Sequence, residues 1–238
     1  MTLIKRWTAL FNLNQDSDAA VEAAGLDLIA RYEEPHRRYH TVRHLTEVLD
    51  VVDELADEAD DLDAVRLAAW FHDAVYESGA SHATDDTSHA SNASNESNES
   101  SECSDSKENL SNEEASARLA ELVLPGLGVP APRVAEVARL VRLTERHSAE
   151  EGDRNAAVLF DADLAILAAD PARYDEYAKS VREEYREIRD DLFRPGRAQI
   201  LEALLSNPSL YRTAAAHARF ESPARANVAA EIARLASP

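Results

Sequence analysis

The residues of this chain best suited to chemistry fall in three short stretches. "RYHTVRHLTEVL" carries His40 and His44, "AAWFHDAVY" carries His72 and Asp73, and "AAVLFDADLAIL" carries Asp161 and Asp163. On a helix of about 100° per residue, positions three, four and seven apart share a face. His44 then shares its face with His40, Val48, Val51 and Leu55, and His72 shares its face with Val65, Ala68, Ala69, Val75 and Tyr76. Asp163 falls at the centre of an arc made by Leu159, Phe160, Ile166 and Leu167. Asp161 faces the side of Ala165 and Ala168, so Asp163 is read as the inward-facing carboxylate.

A carboxylate aimed into apolar surroundings is costly unless it is paired or bound to a cation. His44, His72, Asp73 and Asp163, converging from separate helices, would give one divalent metal ion two nitrogens and two oxygens. That donor set suits Mn, Fe, Co, Ni, Zn or Mg, without distinguishing them, and leaves coordination positions for water. His40 would stand beside the ion without ligating it. Each residue alone has a plainer reading: an inward histidine is more often structural, a His-Asp pair is common, and an arginine partner explains an inward aspartate. Their coincidence in one helical chain is what points to a shared ion.

The elements that must position these groups are helical. Ala, Leu, Glu and Arg dominate, only 6 Gly and 9 Pro occur, and no stretch alternates with period two. The periodicity predicts helices over 18–31, 39–59 and 62–76. From Ser78 to Asn109 almost nothing could be buried, so this Ser/Asn-rich stretch is expected to be a disordered, low-complexity insertion, its His82 and His89 solvated. Ser111 and Glu114 form the pattern of a capping box. "PAPRVAEVARLVRLTERH" and "NAAVLFDADLAIL" read as further helices, and Asp170–Pro171 starts another with proline at its first position. "SNPSLYRTAAAHARF" and "SPARANVAAEIARLA" suggest the same cap-then-proline start. The expectation is an all-α single domain over residues 1–238, of roughly eight to ten helices, with the 78–109 insertion inside it.

A net charge of −20 argues against nucleic acid and against an anionic membrane as partners. Cys103 is the only cysteine, so no intrachain disulfide is possible. The N-terminal apolar run lacks a signal-peptide pattern and no stretch approaches the ~18 apolar residues of a membrane span. A cytoplasmic protein is the expectation.

The ordered set "EPHRRYHTVRHL", "AAWFHDAVYE", "NEEASA", "LTERH", "LFDADLAIL", "YDEYAKSVREEY", "GRAQIL" and "ARANVAAE" resembles a bacterial branch of the HD superfamily of metal-dependent phosphohydrolases, from about Trp7 to Ile232 apart from the insertion. The resemblance implies an all-helical HD-domain fold with His44, His72, Asp73 and Asp163 as metal ligands. It also implies that His40 is a proton donor, as proposed for a histidine in the similar cyclic-nucleotide phosphodiesterases. Glu113, in "NEEASA", would be an acid or a group beside the ligands. His147, ending "LTERH", stands where two-metal members place additional histidines; it could equally meet a substrate phosphate, hydrogen-bond a metal ligand, or be a plain cation at a helix C-terminus. Glu113 and, in the branch's "VREEY" segment, Arg182 and Tyr185 are further candidates to meet the substrate. Arg197, in its "GR" segment, is one further arginine that could reach a phosphate. The implied activity is hydrolysis of a small phosphorylated or nucleotide-like metabolite, with Asp73 orienting the attacking water. A binding or sensor module that keeps metal and pocket without turnover fits the same ligands. A di-iron oxygenase needs more inward histidines than the chain offers.

Overall fold

The computed structural model describes residues 1–11, 18–77 and 110–237, and among them the chain forms α-helices and short 3-10 segments without a strand. The helices are α1 Leu3–Thr8, α2 Asp18–Tyr32, α3 Val42–Glu54, α4 Leu62–Phe71, α5 Asn112–Val123, α6 Ala131–Leu143, α7 Arg154–Asp163, α8 Pro171–Glu184, α9 Asp190–Ser206 and α10 Ala214–Ala236. The stretch read as an insertion, 78–109, lies outside the described residues together with His82, His89 and Cys103. Among the described residues no helix is long and apolar enough to cross a membrane.

The middle of the fold is α4. From Ala64 onward all but one of its residues are buried, Ala64, Val65 and Leu67–Phe71, so it is apolar nearly all round, as a helix enclosed by neighbours must be. It packs against α3, α6 and α7, and α5 lies along α6. α9 pairs with α10, which also covers the 3-10 segment Leu164–Ala168 that continues α7. α1 seals the other end: Trp7 is fully buried, meets Trp70 edge-on at 5.2 Å and donates its indole N–H to the Val21 carbonyl at 2.7 Å. Gly25 of α2 gives Trp7 room, because a Cβ there would meet its ring. Buried side chains from Trp7 to Val228 join in one core.

Several helix ends differ from the sequence expectation, each for a local reason. The helix expected over 39–59 begins only at Val42, so His40 precedes it in a turn; the backbone N–H groups of Arg38, Tyr39 and His40 all donate to the Glu184 carboxylate and are withdrawn from any helix. The helix expected over 62–76 stops at Phe71: the Asp73 and Val75 N–H groups donate to the Tyr32 and Ser116 hydroxyls and the Ala69 carbonyl accepts from the His72 ring, so the next helical bonds are not made. Ser111 caps α5 by accepting from Glu114 N–H, but the Glu114 carboxylate turns to Arg118 and Arg142 and leaves the reciprocal half of the box unmade. Asp170 caps α8 as expected. Ser222–Pro223 does not open a helix: α10 runs through Pro223 from its cap at Thr213.

Candidate metal centre

Four ligand atoms converge at the junction of α3, α4 and α7. His44 Nε2 and His72 Nε2 lie 3.1 Å apart. Asp73 Oδ2 is 3.3 Å from the first and 3.1 Å from the second. Asp163 Oδ1 is 3.3 Å from His44 Nε2 and 3.7 Å from His72 Nε2. Donors about 2.1 Å from a shared ion stand roughly 3.0 Å apart at octahedral and 3.4 Å apart at tetrahedral angles, so the separations among His44, His72 and Asp73 are those of coordination edges, while Asp163 at 3.7 Å from His72 stands somewhat wider. His44, His72 and Asp73 make the tighter group, with all three ligand atoms within 4.8 Å of one another, and could hold a metal ion; Asp163 approaches both imidazoles as a fourth. The imidazoles are buried, at 2% and 1% exposure.

Local structure fixes each donor. His44 is on the buried stripe of α3 with Leu45, Val48, Leu49 and Val52. His72 is the C-cap of α4, where its Nδ1–H donates to the Ala69 carbonyl at 2.8 Å and leaves Nε2 free to ligate. The Asp73 N–H donates to the Tyr32 hydroxyl, which itself donates to the Trp70 carbonyl. Asp163 ends α7, and its Oδ2 accepts from His147 Nε2 at 2.9 Å. His147 takes a left-handed backbone, φ 46°, uncommon for a non-glycine residue though histidine is among those that adopt it more readily.

Two residues that sequence reasoning passed over tie the turns together. Arg37, 3% exposed between the rings of Tyr32 and Tyr76, donates to the carbonyls of His40, Asp73 and Ala74 and so staples the His40 turn to the His72–Asp73 turn. Glu184, at the end of α8, accepts from three backbone N–H groups through Oε1, and through Oε2 from His40 Nδ1 at 2.8 Å and the Tyr76 hydroxyl at 3.1 Å. His40 is thereby held stacked on Tyr76 at 4.2 Å, with its ring 5.6 Å from that of His44. Because a carboxylate only accepts, Nδ1 carries the proton toward Glu184, and Nε2 is the nitrogen left for a reaction.

Charges in the cluster hold one another. Burial pushes the His44 and His72 imidazoles down, but the Asp163 and Asp73 carboxylates outweigh it and raise both, His72 the further. Burial alone would raise the Asp73 and Asp163 carboxyls. Instead Asp73 is held well below the usual range by His72 and His40, and Asp163 by His147, His44 and His72. Glu184 is held at about 2 against the desolvation of its burial, by His40 and by the backbone donors. The Tyr39 hydroxyl is a buried group with no hydrogen-bond partner; its ring lies 4.7 Å from that of His44 and it feels the charges of Asp163 and Asp73.

The other candidates are placed differently. His147 joins the cluster through Asp163. Glu113, in the first turn of α5, has a buried Oε2 without a partner. Tyr185 lies against Tyr76, at one remove from His40. Arg182 is not brought to the cluster: it binds Asp190 and the Tyr185 and Ile188 carbonyls and stacks over Phe193. Arg197 is engaged with Glu231 and the Tyr177 hydroxyl. Asp161 is a correction. Read as facing away, it is fully buried and accepts from the Arg212 and Thr213 N–H groups and the Thr213 hydroxyl, tying α7 to the start of α10. Both aspartates point inward, onto different neighbours.

The chain matches no protein-family model, no curated protein and no solved structure.

Proposed function

We propose that this chain has an HD-type fold and is a metal-dependent phosphohydrolase, acting on a small phosphorylated or nucleotide-like substrate. The observation that carries the reading is the convergence of His44 Nε2, His72 Nε2 and Asp73 Oδ2 at ligand-to-ligand separations, with Asp163 Oδ1 approaching both imidazoles and the oriented His40 beside them. His44, His72, Asp73 and Asp163 would hold one divalent ion. Bound there, such an ion supplies Lewis-acid polarisation of a phosphoryl oxygen and a water acidified toward neutral pH.

The chain's own groups do the rest. Asp73, engaged with the imidazoles through Oδ2, has Oδ1 to orient the attacking water. The Tyr39 hydroxyl, buried and unpartnered on a ring 4.7 Å from that of His44, would donate to the phosphoryl group as charge builds on it. His40, positioned through Nδ1–H by Glu184, acts in its imidazolium form and gives the second proton, on Nε2, to the leaving oxygen. His147 fixes the Asp163 carboxylate through Oδ2.

The test is reconstitution. Metal-stripped protein is reloaded with Mn, Co, Ni, Fe, Zn or Mg and assayed for phosphate release from an aryl phosphate and a panel of nucleotides. Turnover should return with at least one metal and vanish in Asp73→Ala. Phosphate release no faster than that of the variant with every metal rejects hydrolysis. His40→Ala separates an enzyme from a sensor: it should abolish turnover and leave ligand affinity nearly unchanged.

A further inference from the structure

A groove of about 310 Å³ opens directly on His44 and Asp163. One wall is α3, where Glu47, Val51 and Glu54 follow one another at helical spacing; the other is the 3-10 segment after α7, with Ile166, and Phe220 of α10 closes the far end. Val51 and Ile166 are partly exposed apolar side chains packed on the core, so the floor is apolar and open. The groove has two cations, and each is answered by a carboxylate of α3. Arg173 is forked on Glu47 at 3.0 and 2.7 Å, and Arg219 pairs with Glu54. A larger cavity of about 1020 Å³, containing Arg146, Arg212 and His217, reaches His147 but none of the four converging ligands.

We infer that this groove receives the leaving-group side of the substrate, and that the substrate class is a monophosphate ester of a flat or apolar alcohol with no second anionic group. The inference rests on the reading of the neighbouring cluster as a metal-dependent phosphate site. A second phosphate or carboxylate in the groove would meet guanidiniums whose charge Glu47 and Glu54 already offset and would lie beside those two carboxylates, inside a chain whose net charge is already −20. An apolar body gains by covering Val51 and Ile166 and disturbs neither pair.

The test measures binding apart from turnover. In manganese-containing buffer, calorimetry compares methylphosphonate, naphthylmethylphosphonate and its ring-carboxylated analogue. The naphthyl compound should bind on the order of tenfold tighter than the methyl compound or better, and Val51→Asp should remove that advantage. Glu54→Gln, a change at an exposed rim position, frees Arg219 and should shift preference toward the carboxylated compound. Equal or undetectable binding of the naphthyl and methyl compounds, an advantage surviving in a folded Val51→Asp protein, or a wild-type preference for the carboxylated compound overturns the groove assignment. A retained naphthyl preference without phosphate release from naphthyl phosphate upholds the groove and rejects hydrolysis instead.

Discussion

Glu184→Gln is the substitution whose consequences follow most fully from the geometry. The wild-type side chain is wholly shielded from solvent, and its carboxyl is held at about 2 where an ordinary glutamate titrates near 4.5. A folded-state pKa below the unfolded value means stability that is present above pH 4.5 and is lost as pH falls through about 2. The shift corresponds to about 3 kcal/mol at neutral pH. Glutamine keeps an oxygen for the three backbone donors but has no charge and sets an amide N–H₂ against His40 and Tyr76, so the variant should lose about 2–3 kcal/mol at pH 7. Urea unfolding of both proteins at a series of pH values reads this directly. The gap should narrow below about pH 4.5 and fall to about half by pH 3. Equal stability at pH 7, or a gap that stays constant down to pH 3, would refute the reasoning. His40 would also lose its anchor, so phosphate release should drop more than substrate affinity does.

Three further outcomes are expected. Tyr39→Phe removes a buried hydroxyl that has no partner, so thermal unfolding should show equal or greater stability, by about 1 kcal/mol, while the reconstituted activity falls on the order of a hundredfold; a destabilised variant with full activity contradicts both halves. Asp161→Ala leaves the Arg212 and Thr213 N–H groups without their acceptor and should cost about 2–5 kcal/mol by chemical denaturation, with a loss under 1 kcal/mol counting against its role in starting α10. Because the carboxylates raise His44 and His72, and a ligating imidazole must be neutral, metal uptake near neutral pH should release protons and tighten as pH rises. Calorimetry in buffers of different ionisation enthalpy measures that release, and a value of zero opposes it.

The sequence made the helical class legible, because its apolar periodicity is helical wherever the chain is described. It also brought forward His44 and His72, whose stripes stand out as imidazoles among valines and alanines. It misplaced His40, since a periodic pattern does not reveal that a distant carboxylate has taken the backbone donors of Arg38, Tyr39 and His40. Asp161 defeated the face argument because α7 is enclosed from Val158 through Ala162, leaving few outward faces near its end. Glu184 was hidden in the acidic run "VREEYREIRDD", where one glutamate looks like another. Its signal was there nonetheless: Tyr174, Tyr177, Val181 and Glu184 are spaced three and four apart, and all are buried. Arg37 offered no such signal, because its guanidinium works across a chain separation of 36–37 residues.

The central claim is most directly met by counting metal. Purified wild-type protein, equilibrated with excess Mn, Fe, Co, Ni or Zn, desalted and submitted to elemental analysis, should retain a single divalent ion per chain. His72→Ala and Asp73→Ala proteins that keep their helical circular dichroism should retain none. A wild-type chain that holds no ion, or folded variants that hold as much as the wild type, would contradict the account.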